Sequence, residues 1–308
     1  MLSVKIASIR MKNPIMPASG TFGYGEEMAD MIDISKLGAV VTKSTTLKPR
    51  KGNPPPRICE PDAGMINSIG LQNPGIDVVM QEKIPFLLKF SVPIILSISG
   101  STIDEYVELA RKVVEKDVNR LVSGLEVNIS CPNTEKGGIA FGQDPKIAAK
   151  VVGRVKKAAA PNLTIIVKLT PNVTNIVTIA EAVVLAGADA LSLINTVKAR
   201  AKVRGMDETW LNGGLSGPAI KPIALRMVYE VAKANLGVPI IGIGGIRNTT
   251  DVLDFLECGA DAVQIGTANF INPNVMIEVI DGLRAYMAEK KYNNITELKK
   301  GLEKGKQK

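Results

Sequence analysis

The chain contains no histidine. That absence excludes Ser-His-Asp and Cys-His mechanisms and any metal site built on imidazole. Cysteine is nearly as scarce: only Cys59, Cys131 and Cys258 occur, far apart and with no Cys-x-x-Cys. An odd, scattered set is no disulfide framework and points to a reducing compartment, the cytoplasm. A cysteine-ligated iron–sulfur cluster takes four thiolates, which these three cannot supply. No metal site is expected on this chain. Aromatic residues make up 4%, too few for a base-stacking platform, so nucleic acid is not an expected partner. No apolar run is long enough to span a bilayer and no secretory leader pattern opens the chain, so no membrane association is expected.

What is present fits a globular protein with a large core: 308 residues, 45% apolar and 22% charged. The net charge of +8 reads mainly as a solvated lysine-rich surface, with part of the excess serving anionic ligands. The densest basic run, "ELKKGLEKGKQK" at 297–308, reads as a frayed terminus.

Short Val- and Ile-rich runs alternate with longer stretches of helical period. The runs are "PIMPAS" (14–19), "VVTKS" (40–44), "IILSIS" (94–99), "LEVNIS" (125–130), "IIVKLT" (165–170), "LSLINT" (191–196), "IIGIGG" (240–245) and "AVQIGTA" (262–268). Near-continuous apolar runs suit strands buried on both faces of a parallel sheet. Between them, stretches such as "TIDEYVELARKVVEK" and "DPKIAAKVVGRVKKAA" place apolar residues three and four apart behind a Thr or Asp that can cap a helix. Eight such alternations predict a (β/α)8 barrel. "VKIASIRMKN" (4–13) reads as an N-terminal hairpin closing the barrel bottom. No linker divides the chain, so residues 1–308 are read as one domain. Long Gly-, Pro- and Asn-rich loops at 48–73 and 198–216 follow strand C-termini, the end where barrel active sites sit.

Polar residues gather at those ends: Ser19, Lys43, Ser97, Asn128, Cys131, Lys168, Asn195, Thr196, Gly244, Gly245, Gly266 and Thr267. Serine or asparagine there means little alone, because any loop begins with polar residues. Lysine inside an apolar strand, as in "VVTKSTT" and "IIVKLTP", is different, since a buried cation requires a partner. Glycines in "GIGGI" and "QIGTA" let backbone amides approach a phosphate at the seventh and eighth strands. Arg247 stands where a Rossmann fingerprint needs its last glycine, so FMN or a sugar phosphate is expected rather than a Rossmann-bound dinucleotide. Cys131 lies just past a strand end, on a loop broken by Pro132, Gly137 and Gly138. In a chain without histidine it is the best-placed candidate for a general base. Cys258 and Cys59 read as inert filler.

Nine segments now carry a resemblance through nearly the whole chain: "NPIMPASGTFGYG", "VTKSTTLKPRKGNPPPR", "GMINSIGLQNPG", "NISCPNTEKGGIAFGQDP", "VKLTPNVTNI", "LSLINT", "GGLSGPAIKP", "PIIGIGGI" and "AVQIGTANF". The sequence resembles the class 1 dihydroorotate dehydrogenases, most closely the 1B catalytic subunits. The resemblance implies an FMN-bearing barrel that oxidises (S)-dihydroorotate to orotate in pyrimidine synthesis, hydride leaving C6 for flavin N5 while Cys131 takes the C5 proton. It implies Lys168 near flavin N1/O2, and Lys43 between substrate carboxylate and flavin. Asn67, Asn128, Asn133, Asn195 and Thr196, with Ser68, Ile69, Gly70 and Leu71, would line the substrate pocket. Ser19, Lys43, Ser44, Ser97, Asn128, Lys168, Ile194, Gly217, Gly244, Gly245, Gly266 and Thr267 would hold FMN. Ser97 stands where bacterial relatives commonly carry asparagine; serine keeps a donor and an acceptor but is shorter.

The 1B resemblance also implies a partner subunit carrying FAD and a [2Fe–2S] cluster that passes electrons to NAD, assembled as a dimer of heterodimers. Class 1A relatives are fumarate-using homodimers, and only the resemblance separates the two. Two other readings remain open at this point. One is a dihydropyrimidine dehydrogenase-like flavin barrel, whose substrate lacks the carboxylate. The other is a barrel that has lost catalysis and serves as a scaffold.

Overall fold

The computed structural model describes residues 1–117, 120–130, 140–205 and 209–305. Eight parallel strands form a nearly closed (β/α)8 barrel. In hydrogen-bonded order they are Ile15–Pro17, Ala262–Ile265, Ile240–Ile243, Ala190–Leu193, Thr164–Leu169, Val122–Asn128, Ile94–Ile98 and Val40–Val41. The two end strands lie side by side, and the Gly38 amide donates to the Ile15 carbonyl at 2.9 Å across that seam.

Each of the eight predicted runs overlaps one of these strands, three of which begin earlier than predicted, at Val122, Thr164 and Ala190. The regular ladders stop short of the predicted C-terminal ends at 170, 196, 245 and 268, because those ends are the turns that form the site. Helices fill the crossovers with the caps the sequence suggests. The Thr102 hydroxyl accepts from the Glu105 amide (3.2 Å) at the start of Ile103–Lys116. Asp144 accepts from the Lys146 and Ile147 amides at the start of Pro145–Ala158. Such caps satisfy amides that have no partner within the helix.

Side-chain alternation inside the barrel decides where chemistry is possible. Residues two apart on a strand share a face. Near the bottom, Met16, Val41, Ile95, Ile166, Ala190, Ile241 and Ala262 form an apolar layer together with Ile6, Ile9 and Met11. The latter three come from the antiparallel hairpin Val4–Ile6/Ile9–Met11, which plugs the bottom as expected. Two residues further up, the same inward faces carry Lys43, Ser97, Lys168, Ser192 and Gln264. The interior therefore turns from dry to polar in one layer. A second and larger core lies between strands and helices, with Tyr106, Phe22, Phe141 and Phe255 fully buried.

Two expectations need correction. The supposed loops at 48–73 and 198–216 build a four-stranded antiparallel sheet, in the order Val197–Lys202, Trp210–Ser216, Met65–Asn67, Ile58–Cys59. Its apolar side, with Cys59, Ile66, Leu211, Ala199, Ala201 and Val203, forms a small core of its own. The basic C-terminal run is not frayed through 297–305: a helix, Ile295–Gly305, buries Ile295 and Leu298, and Lys299 reaches Asp261 at 2.5 Å. Helical spacing of Ile295, Leu298 and Leu302 gives this segment an apolar stripe. No helix among the described residues is long and apolar enough to cross a membrane.

Candidate active site

A cavity of about 470 Å³ opens at the C-terminal ends of the barrel strands, within the usual range for small-molecule sites. Strand ends supply Ser19, Lys43, Ser44, Asn128, Lys168, Ile194, Asn195, Thr196, Gly244, Gly245, Gly266 and Thr267. The antiparallel sheet and its flanks supply Asn67, Ser68, Ile69, Gly70, Leu71 and Gly217. The structure thus brings eighteen of the twenty-one candidate residues to one wall. Ser97 is not on it: fully buried, it sits behind Ser44, the two hydroxyls 2.9 Å apart. It touches the cavity wall through Ser44. Cys131 and Asn133 lie outside the described residues.

Asn128 and Asn195 are held by a chain of hydrogen bonds. The Asn128 amide donates to the Ser44 hydroxyl (3.2 Å), while the Asn195 amide donates to the Asn128 carbonyl oxygen (3.2 Å) and the Ser130 hydroxyl (2.9 Å). The Tyr106 hydroxyl donates to the Asn128 backbone carbonyl at 2.7 Å. Pre-set amides of this kind offer a ligand both donors and acceptors at low ordering cost.

The two lysines differ. Lys168 is nearly buried, donates to the Ser19 hydroxyl (3.1 Å) and has the Glu126 carboxylate 3.8 Å away. Lys43 is half-buried, and burial pushes its pKa below the ordinary 10.5, with the nearby Lys168 and Arg57 charges pushing the same way. Every one of those influences disfavours its charge. A bound anion would reverse that.

At the opposite side, glycine is required by space. Gly245 adopts φ +70°, and a Cβ there would meet the Lys221 Cβ at 2.7 Å and the Gly217 carbonyl oxygen at 2.9 Å. Thr267 donates its hydroxyl to Ser216 (2.8 Å) at the same edge. This backbone-lined cradle suits a phosphate. With the Lys168 cation and the asparagine amides it fits FMN, whose phosphate and ring need just those two kinds of surface.

Some of the site was missed in the sequence. Ser216, Arg247, Phe270 and Ile271 also line the cavity; Ser216 and Phe270 lie within segments that carry the resemblance, but their residue types alone do not mark them as ligand contacts. Glu126 was missed too. It lies wholly buried beneath the site, and its signal was the one that marked Lys168: a charge inside an apolar run, "LEVNIS".

Fold and cavity define a class: a (β/α)8 barrel with a ligand-sized cavity, bordered by Lys43 and Lys168, at the strand C-terminal ends. The family follows from comparison with known proteins. Residues 1–287 match the family model described as dihydroorotate dehydrogenase. The chain is 52% identical over 300 residues to a protein of Geotalea uraniireducens, covering 96% of each. It is 52% identical over 305 residues to one of Trichlorobacter lovleyi, covering 98% of each. It is 50% identical over 300 residues to one of Caldicellulosiruptor saccharolyticus, covering 96% of this chain and 97% of the other. All three relatives are named dihydroorotate dehydrogenase B (NAD(+)), catalytic subunit. The chain belongs to the dihydroorotate dehydrogenase family.

Proposed function

We propose that this chain is the catalytic subunit of an NAD-linked dihydroorotate dehydrogenase and oxidises (S)-dihydroorotate to orotate for pyrimidine synthesis. The observation that carries the reading is Lys43: a cation at the cavity wall, disfavoured by burial and by two neighbouring cations. A substrate carboxylate supplies the missing counter-charge, which favours dihydroorotate over a dihydropyrimidine without one. The same cavity argues against a mere scaffold, since an unused pair of lysines would be a standing cost.

FMN, when bound, supplies the hydride acceptor at its N5. Ser19, Lys43, Ser44, Asn128, Lys168, Ile194, Gly217, Gly244, Gly245, Gly266 and Thr267 hold it, with Ser97 acting from behind Ser44. Asn67, Asn128, Asn133, Asn195 and Thr196, with the 68–71 segment, orient the pyrimidine ring through its alternating carbonyls and N–H groups. Cys131 takes the C5 proton as hydride leaves C6, so a C=C bond forms and the thiolate becomes a thiol. The roles of Cys131 and Asn133 rest on their place in the "NISCPN" motif of the family.

Electrons leave through a partner subunit carrying FAD and a [2Fe–2S] cluster, which passes them to NAD in a dimer of heterodimers. The relatives' designation as catalytic subunits supports a partner. So do Phe270 and Ile271, 56% and 79% exposed on the cavity rim, since exposed apolar side chains grouped at one place mark contact surfaces.

The test is anaerobic. The purified chain with FMN should be yellow and should bleach on adding dihydroorotate but not dihydrouracil. Bleaching by dihydrouracil alone would assign the other substrate class. Cys131→Ala should keep FMN and slow bleaching by about two orders of magnitude or more, the scale of a general base. Near-normal bleaching in that variant removes Cys131 from the mechanism.

A further inference from the structure

Inside the barrel, directly below the cavity, one carboxylate is enclosed by four strands. Glu126 is fully buried and does not line the cavity. Its Oε2 accepts from the Gln264 side-chain amide (2.7 Å) and from the Ser192 hydroxyl (3.1 Å). Its Oε1 has no hydrogen-bond partner and faces the Lys168 ammonium at 3.8 Å. Lys168 in turn donates to Ser19 and borders the cavity.

A carboxylate in a dry interior is costly unless paired. Hydrophobic filling would be the cheaper choice here, as the layer below shows with Ile166, Ala190 and Ala262. The arrangement is also asymmetric. Two neutral donors fix one oxygen and leave the other directed at the Lys168 ammonium. An ammonium has three protons. One goes to Ser19, one is drawn toward Glu126, and the remainder is left for the cavity.

We propose that Glu126 is a positioning residue that sets how much positive charge Lys168 presents to the flavin. Ser192 and Gln264 orient the carboxylate for that task. The inference rests on the reading of Lys168 as a flavin-binding lysine. Glu126 partly neutralises a cation that otherwise pulls the flavin toward its reduced form, and so holds the flavin potential down. Electrostatics in a low-dielectric interior makes one buried charge felt across the neighbouring layer.

The experiment is a redox titration of bound FMN in four variants of the holoprotein, with FMN dissociation constants measured alongside. Glu126→Gln should move the midpoint potential upward, changing the oxidised-to-reduced ratio about tenfold at fixed ambient potential, or ~30 mV for a two-electron couple. The packing permits this exchange, because the unpartnered Gln264 carbonyl oxygen can turn to accept from the new amide. Glu126→Asp, which keeps the charge, should return the potential toward wild type. Ser192→Ala removes a donor from the carboxylate and should move the potential the opposite way, downward and by less. Lys168→Met should move it downward.

A purely structural role would alter thermal stability or FMN retention and leave the potential of retained flavin unchanged. An unshifted Glu126→Gln beside a shifted Lys168→Met overturns the inference alone. Unshifted potentials in both overturn the reading of Lys168. If Glu126→Gln cannot hold FMN, Ser192→Ala carries the decision: a downward shift supports the inference, and none overturns it.

Discussion

On the proposed reading, Lys43 ties substrate choice to pH. Burial first, and then Lys168 and Arg57, lower its pKa below the ordinary 10.5. The unfolded chain therefore holds this proton to higher pH than the folded one. Folding stability from this group consequently rises as pH climbs from the lowered value toward 10.5, where the folded lysine is already neutral. Ligand binding runs the other way. A carboxylate in the cavity favours the ammonium, so orotate should bind with proton uptake and weaken as pH rises past the lowered value. Titrating orotate against flavin absorbance across alkaline pH measures this. Lys43→Met should weaken orotate about 10–150-fold, the loss of one charge-assisted hydrogen bond of ~1.5–3 kcal/mol, and should flatten the alkaline decline. An unchanged pH profile in Lys43→Met would take Lys43 away from the carboxylate.

Elements set the cradle, and there the backbone matters more than side chains. At Gly245 a methyl group has no room and the backbone is left-handed. Gly245→Ala should cost about 1–2 kcal/mol from the conformation alone, with more from the contacts to Lys221 and Gly217. Its effect should fall mainly on FMN, whose dissociation constant should rise at least tenfold while far-UV circular dichroism stays native. Normal FMN binding in this variant would place the phosphate elsewhere. The "GIGG" and "QIGT" turns were legible from their place after the seventh and eighth strands, because glycine by itself suits any tight turn. The antiparallel sheet was less so. "VKARAK" alternates cleanly between a solvent face and the Ala199–Ala201 face, but the strands at the other side of the sheet, Ile58–Cys59 and Met65–Asn67, are too short to carry a period, and the Gly- and Pro-rich setting hid them. Glu126 was passed over for a related reason. Its partners Lys168, Ser192 and Gln264 come from three other strands, and sequence does not say which strands converge.

For the whole molecule, the barrel is expected to open most readily at its seam. Strands Ile15–Pro17 and Val40–Val41 stand at the two ends of the hydrogen-bonded order, and both are short. Ser19 lies just past the first, and Lys43 and Ser44 lie just past the second; all three border the cavity. A ligand that contacts all three therefore ties the seam together from above, as the N-terminal hairpin plugs it from below. At one hundred times its dissociation constant, FMN adds about 2.7 kcal/mol to folding stability, which for a chain of this size is a rise in Tm of roughly 5 °C. The distribution of that gain is the sharper expectation. Hydrogen exchange should slow most at residues 15–19 and 40–46 when FMN is added to the apoprotein, and least in the interior strand Ile94–Ile98, whose both edges are already paired. Uniform protection would mean that the seam is no weaker than the rest of the barrel. Protection confined to the 240–268 segment would mean that FMN is held by its phosphate alone and that Ser19, Lys43 and Ser44 do not touch it.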